Sequence, residues 1–488
     1  MLFYYASRQL TENVFVLSLV KYYKEQKRQS ITIMTNNKYN MAKPPSFVKT
    51  IGPSIIFLGL GLGSGELILW PYLVSNYGLG IIWAAVLGIT FQFFINMEIV
   101  RYSLLYGESI FAGFSRISKR FSYWFILSTF IPWIWPGIIA TSAKVFATIF
   151  GIENFALLAI ILLILIGIIL TLGPRLYQTV ETFQKTIIII GVPIITIITF
   201  LLAKPADFTA LTNGLIGVGE GYLFLPLGIP LFTFLGALAY SGAGGNLNLS
   251  QSFYIKEKGY GMCKNTKGIT SVLTGNVDKV QIFGNRVDFK SNENFKKYKM
   301  WWRLVNLEHL IVFLITGALT IILLALLAYT TTLGTKSGQG VEFLIDEFYQ
   351  VSSLLSPTIG IVFLALLGTM LFGTQLTVLD STSRIISENI VILKDKLNLP
   401  HVYYLILWIQ IIAAIIIFLT GYTDPISLVV TGAALNAFAM FFHIVATYFL
   451  NKRFLPEKYQ PSFWRKLIIL IAWLMFGILS VMAILQVF

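Results

Sequence analysis

Eleven stretches of roughly twenty or more predominantly apolar residues run through this chain, at about 51–74, 80–104, 122–149, 155–173, 184–203, 229–250, 303–330, 357–379, 401–420, 426–450 and 465–487. A hydrocarbon layer about 30 Å thick takes about 20 helical residues to cross, so each stretch is long enough to be a membrane span. The runs are continuous in Ile, Leu, Phe and Val, whereas a barrel strand needs only about ten residues of alternating character. Eleven transmembrane helices are therefore expected. Composition agrees: 56% of the residues are hydrophobic and 12% charged, about half the charged share of a soluble domain. A water-soluble enzyme and a disordered chain are both excluded. The single cysteine, Cys263, excludes a disulfide framework and a cysteine metal site.

A net charge of +14 would suggest nucleic acid in a soluble chain, but here the loops account for it. With the N-terminus inside, 33 of the 36 lysines and arginines fall in or beside cytoplasmic segments, and Lys144, Lys204 and Lys336 lie outside. The outer segments carry Glu153, Asp207, Glu220, Glu342, Asp346, Glu347 and Asp424 instead. This asymmetry predicts a multi-pass cell-membrane protein, N-terminus cytoplasmic and C-terminus outside, in contact with lipid and not with nucleic acid. Residues 1–50 read as a cytoplasmic tail; no signal-peptide pattern precedes the spans, and Met41, followed by Ala42-Lys43-Pro44-Pro45, reads as a plausible start. The long inner loop 251–302 alternates apolar and polar residues around 268–290 (Thr270, Val272, Thr274, Val277, Val280, Ile282), which suggests a short β-hairpin. The outer loop 331–356 contains an amphipathic stretch, Val341, Phe343, Leu344 and Phe348, expected to form a helix over the outer vestibule.

Two spans are unlike the rest. The first reads Gly59-Leu60-Gly61-Leu62-Gly63-Ser64-Gly65-Glu66, and the sixth Tyr240-Ser241-Gly242-Ala243-Gly244-Gly245-Asn246. Glycine in a helix costs about 1 kcal/mol relative to alanine, so weakened or unwound turns are expected halfway along both. Unwound backbone is tolerated at that depth only where it is buried or lines a cavity. Such interruptions at matching places in two halves point to an inverted-repeat transporter with five helices per repeat: 51–228, then 229–450, with 451–488 adding an eleventh helix. Packing is the competing reading, because Gly59/Gly63 and Gly61/Gly65 are i, i+4 pairs of the kind that let helices approach closely. Glu66 favours a binding site, since a carboxylate near the bilayer centre costs several kcal/mol without a role.

The segment Gly52-Pro53-Ser54-Ile55-Ile56, with the glycine run and then Asn76-Tyr77-Gly78, resembles the first helix of the NRAMP divalent metal transporters. Asn246-Leu247-Asn248-Leu249-Ser250-Gln251-Ser252 is similar to the Asn-Leu-x-Leu-x-Ser pattern of that family. The resemblance spans 51–450 and implies an all-α core of the LeuT-like (APC) type. It is a divergent resemblance: Gly63 stands where the family has its metal-binding Asp, Glu66 where it has Asn, and Ala243-Gly244-Gly245 where it has Met-Pro-His. The thioether and imidazole that favour softer metals are thereby lost.

The residues expected to line a substrate site are Gly63, Ser64, Gly65, Glu66, Tyr240, Ser241, Ala243, Gly244, Gly245 and Asn246, with Glu66 and Asn246 as metal ligands. An oxygen-only set suits Mg²⁺ or Mn²⁺ better than Zn²⁺ or Cu⁺, and a single carboxylate fits a partly hydrated ion. Candidate proton or gating residues are Glu98 with Arg101, Gln375, Asp380 and Arg384 with Glu388 at helical spacing, Asn436, and His443. For each a bland alternative stands beside it: an interfacial ion pair, a solvated helix end, a packed histidine. The expected function is secondary transport of a divalent cation by alternating access, with H⁺ as candidate coupling ion and no cofactor; an amino-acid or amine carrier of the same fold is the alternative. No motif of an intramembrane enzyme is visible. Oligomeric state is left open by the sequence.

Overall fold

Buried backbone polar groups have no water to turn to inside a bilayer, so the chain satisfies them within helices. A computed structural model describes residues 39–264, 268–271, 280–334 and 341–487. Among these residues ten helical spans are long and apolar enough to cross a membrane. They are α1 (Pro53–Tyr77), α2 (Leu79–Tyr106), α3 (Arg120–Phe150), α4 (Phe155–Leu172), α5 (Leu176–Leu202), α7 (Asn292–Thr332), α8 (Pro357–Leu393), α9 (Leu399–Leu419), α10 (Pro425–Phe454) and α11, whose helix runs Phe463–Val487. The sixth of the eleven expected spans is present in two pieces, α6a (Leu231–Ala239) and α6b (Leu247–Lys258), neither long enough to cross alone.

The bundle is layered around α1. Its apolar window is 100% buried, against 28% for α4 and for α11, so α1 is shielded from lipid while α4 and α11 face outward. The glycine run explains this position. A side chain at Gly59 or Gly63 would collide with Gln184 of α5 or Thr374 of α8, and one at Gly61 or Gly65 with the backbone at Gly242 or Tyr240 of the α6 break. Close packing holds for both pairs: Gly59 and Gly63 meet side chains of α5 and α8, and Gly61 and Gly65 meet the backbone of the break.

The expectation of an unwound α1 is corrected. The helix stays wound through Ser64, then widens into a π-helical turn at Gly65–Leu69 before resuming at Trp70. The carbonyls of Gly61 and Gly65 accept from the N–H groups of Gly65 and Trp70 and are not freed. A π turn is the smallest defect that re-aims a helix face while keeping its hydrogen bonds. α7 carries a similar π turn at Leu310–Ile315, and α3 is broken at 134–136, just after Pro132 and through Pro136, since proline removes a donor and clashes with the preceding turn.

At the end of the bundle that carries most of the basic residues, α2, α7, α10 and α11 meet on one ion cluster. Arg101 Nε and Nη2 donate to Glu98 Oε2 and Oε1 at 2.6 and 2.9 Å, and Nη1 donates to Tyr298 and to the Tyr459 carbonyl. Arg465 of α11 lies 3.5 Å from Glu98, and Asn451 of α10 donates to the Glu98 carbonyl. Expected as a pair with a gating alternative, Glu98 and Arg101 are a four-helix anchor. Residues 39–50 lie against the same end: Met41 is buried, its N–H donating to Asn294. Of the anticipated hairpin, Val272, Thr274 and Val277 lie outside the described residues, and Thr270 makes an isolated bridge with Arg175. The outer-loop helix is present at Glu342–Leu354, burying Phe343 and Leu344, and Lys144 of α3 pairs with its Glu342.

Two outcomes are expected. Arg101→Ala, which leaves Glu98 buried without its bidentate partner, should lower stability by about 3–5 kcal/mol, read as thermal unfolding in detergent. Glu347 of the outer helix is 2% exposed and burial pushes its carboxyl up to about 8 from 4.5. The folded form therefore holds this proton more tightly than the unfolded chain. Stability should fall as pH rises from about 4.5 to about 8 and then level off, and Glu347→Gln should flatten that slope in pH-dependent melting curves.

Candidate functional site

The α6 break is a local consequence of sequence. Gly244 and Gly245 have φ of +74° and +55°, a left-handed pair that side chains disfavour. The turn they make exposes backbone groups that a continuous helix would pair. A residue the sequence reading missed takes them up: Gln92 of α2, wholly buried, donates from Nε2 to the Ala239 carbonyl at 2.8 Å and accepts at Oε1 from the Gly244 N–H at 3.1 Å. One amide thus bridges the last turn of α6a to the break. Gln92 sits mid-span in α2 without a glycine or charge beside it, and only its polarity at that depth marks it.

Glu66 lies in the π turn of α1 and is fully buried. Its Oε2 accepts from the Thr320 hydroxyl of α7, while Oε1 has no hydrogen-bond partner among the described residues. Two glycines, from α1 and α7, border this oxygen, and a third packs against the first. A Cβ at Gly61 would sit 3.0 Å from Oε1 and one at Gly317 of α7 3.5 Å from it, while Gly242 of the break lies 3.2 Å from the Gly61 position. Space next to a buried, half-satisfied carboxylate is thus kept free of side chains.

The rest of the predicted set divides. Gly65 packs on the Tyr240 carbonyl; Gly63 and Ser64, just before it, are buried helix positions, Gly63 against α8. Ser241 accepts from Trp70 Nε1 at 2.9 Å. The Tyr240 hydroxyl accepts from Asn436 Nδ2 at 2.9 Å, and its ring stacks on Trp133 of α3 at 5.2 Å. Asn436 Oδ1 lies against Gly245 and is unpartnered. Ala243 is buried in the break beside Gly244 and Gly245. Asn246, at the start of α6b, donates to Ser128 and Thr129 of α3 at 2.7 and 3.0 Å, leaving its Oδ1 unpartnered. Acceptor oxygens of Glu66, Asn246 and Asn436 are therefore all buried without a hydrogen-bond partner among the described residues, on α1, α6b and α10. They are acceptors only, the character that attracts a cation.

The gating candidates form a separate cluster nearer the basic end. Arg384 is wholly buried, pairing with Asp380 at 2.9 Å and with Glu257 of α6b, so this stretch of α8 is not a solvated helix end. Tyr254 and Tyr403 donate to Asp380 at 3.0 and 2.8 Å, and Glu388 accepts from Ser109. Gln375 is buried one turn before Asp380. His443, a proton-relay candidate, has neither ring nitrogen partnered among the described residues, so it has no relay to join. The expectation that Glu66 is alone among acids at depth is also corrected. Glu308 of α7 is buried beside His309, and a two-residue polar island within a long apolar span was the available signal.

No protein-family model matches this chain, and no curated protein matches it. Solved structures do. A mutant of the manganese transporter of Eremococcus coleocola is 14% identical, with a TM-score of 0.65 over 93% of this chain and 90% of that one. The same transporter in complex with an aromatic bis-isothiourea substituted compound gives 0.64 over 93% and 89%, again at 14% identity. A nucleobase-cation-symport-1 family transporter, closed with bromovinylhydantoin bound, is 11% identical with a TM-score of 0.53 over 91% and 92%. The chain therefore has the all-α LeuT-like fold of secondary transporters, five-plus-five inverted repeats with α11 appended. Within that fold its sixth helix is broken and its first is bent by a π turn.

Gln92→Ala should remove both bonds that bridge the break, at about 1–3 kcal/mol for each group left unpaired. Hydrogen exchange should accelerate at residues 239–245 while the Arg101 anchor stays protected.

Proposed function

We propose that this protein is a secondary transporter for a hard, oxygen-liganded divalent cation such as Mg²⁺ or Mn²⁺, bound between the π turn of α1 and the break in α6. The observation that carries the reading is Glu66 Oε1, buried, without a hydrogen-bond partner among the described residues and bordered by Gly61 and Gly317. An uncompensated carboxylate oxygen at that depth is costly unless something cationic visits it. Asn246 and Asn436 supply neutral oxygens along the same break, and a single acid with amide oxygens suits an ion that keeps part of its water shell. That one structural neighbour is a manganese transporter agrees with this choice.

Alternating access would come from α1 and α6b moving relative to α8, with the Arg384–Asp380–Glu257 cluster closing the basic end. The basic loops would face the cytoplasm in a cell membrane, leaving the C-terminus outside. A second reading has its own support: Tyr240 stacked on Trp133, beside Trp70 and Phe234 at 6.0 Å, is the kind of aromatic wall that holds a flat organic solute such as an amine.

Calorimetric titration of the purified protein should show binding of Mn²⁺ or Mg²⁺, weakened about 100-fold or more by Glu66→Gln, which keeps the shape and removes the charge. Binding of an amino acid or amine that survives this change, with no response to either metal, would replace the first reading by the second.

A further inference from the structure

Between Glu66 and the basic end lies a polar cluster that the transport site does not use. It joins α1, α2, α6b and α7. The Ser54 hydroxyl, in the first turn of α1, donates to Glu308 Oε2 at 2.5 Å and lies 2.8 Å from His309 Nδ1. Asn96 Nδ2 of α2 is 3.3 Å from His309 Nε2, and Gln251 Nε2 of α6b is 3.4 Å from Nδ1. All five residues are buried. The imidazole is held flat between Phe313 at 4.5 Å and Phe93 at 5.6 Å.

The bonds form a directed chain. Because Ser54 donates its only proton to Glu308, His309 Nδ1 must carry the proton that Ser54 accepts. Nε2 is then bare and accepts from Asn96. Asn96 Oδ1 is left as a buried acceptor without a hydrogen-bond partner among the described residues. With Nδ1 protonated, the Gln251 amide meets it through its oxygen, the reverse of the orientation in which Nε2 lies 3.4 Å away. Placed against the two ring nitrogens, each amide offers a donor in one orientation and an acceptor in the other, and so fits the ring with either one proton or two.

We propose that Ser54, Glu308 and His309 form a proton-binding site, and that its proton is the one coupled to transport; the coupling rests on the transport function proposed above, the site itself does not. A proton arriving at His309 Nε2 makes the ring cationic, Nδ1 passes its proton to Ser54 Oγ, and Ser54 passes its own to Glu308 Oε2. The result is a neutral carboxylic acid, a hydroxyl now donating to Nδ1, and a neutral ring of the opposite tautomer. No charge is left behind and no other reactant is needed. Without the proton, Glu308 is a buried anion with a neutral histidine, a state costing several kcal/mol. The other groups facing the cluster offset this cost only in part. The Ser54 N–H at the start of α1 donates to Glu308 Oε1 at 3.4 Å, and Lys258 of α6b, which favours the anion, is itself paired with Glu181 of α5 at 2.8 Å beside Gly52 and the Tyr177 hydroxyl; α2 contributes Asn96 and Phe93, both uncharged. Ser54 is also the rung that ties the basic end of α1 to α7, about 17 Å along α7 from the Thr320 bond to Glu66. Loading and unloading the proton would therefore set how firmly α1 is held at that end.

Infrared difference spectra of the full-length protein between acid and alkaline pH test the site without substrate. In a Glu347→Gln background, which removes the other raised carboxyl already described, the spectra should show a carboxylic C=O band that Glu66→Gln retains, Glu308→Gln abolishes and Ser54→Ala shifts. A band unchanged in Glu308→Gln overturns the proposal. If that variant does not fold, an unshifted band in Ser54→Ala does so. In proteoliposomes, Mn²⁺ accumulation driven by a pH gradient should fall about tenfold or more in Glu308→Gln, with Mn²⁺ affinity kept within about twofold because the sites are far apart. Gradient-driven accumulation equal to wild type overturns the coupling role. Failure of wild type to bind Mn²⁺ or Mg²⁺ with the titrating band present would instead remove the cation reading and leave the proton site standing.

Discussion

Everything in this molecule follows from the need to pair peptide groups where no water is available. One helix is deliberately left incomplete, and its loose ends are taken up by the side-chain amide of Gln92 from a neighbouring span. Without that crosslink the left-handed turn at Gly244 and Gly245 would present bare donors and acceptors to a low-dielectric interior. With it, the turn is stable enough to persist and open enough to leave oxygens of Glu66, Asn246 and Asn436 uncommitted.

The buried charges fall into groups with different character. Glu98, Arg101 and Arg465 are enclosed by aromatic rings, with Arg101 stacked 3.9 Å over Trp302, and knit four helices into a fixed base. Asp380, Arg384 and Glu257 join α8 to α6b through charge-dominated contacts. Glu66 and Glu308 are acids without a basic partner at bonding distance. The first two groups hold their charges against opposite charges; Glu66 and Glu308 do not, and that is where ligands and protons have something to gain.

Much of this was legible from the sequence. The eleven spans followed from apolar run length, the α6 break from its glycines, and the prominence of Glu66 from its depth. The basic loops and the outer amphipathic helix were readable for the same reason: each is a local pattern. What escaped was relational. Four glycines in α1 suggested unwinding, but tight contacts with α5, α6 and α8 hold it as a helix, and only the π turn records the strain of fitting. Gln92 and the Glu308–His309 pair looked like isolated polar residues because their partners lie 147 and about 250 positions away. His443 drew attention by residue type, yet nothing polar meets its ring among the described residues.

The two glycine stripes of α1 carry a mechanical implication. Along this length the helix turns a nearly smooth barrel toward α5 and α8 on one side and toward the α6 turn on the other. Knobs seated in holes must unseat before a helix can rotate or slide, whereas a bare backbone surface has little to unseat. The centre of the protein is thus built like a shaft in a close sleeve, keyed to α8 where the Thr374 hydroxyl donates to the Gly59 carbonyl at 2.7 Å and otherwise gripped at its polar rungs.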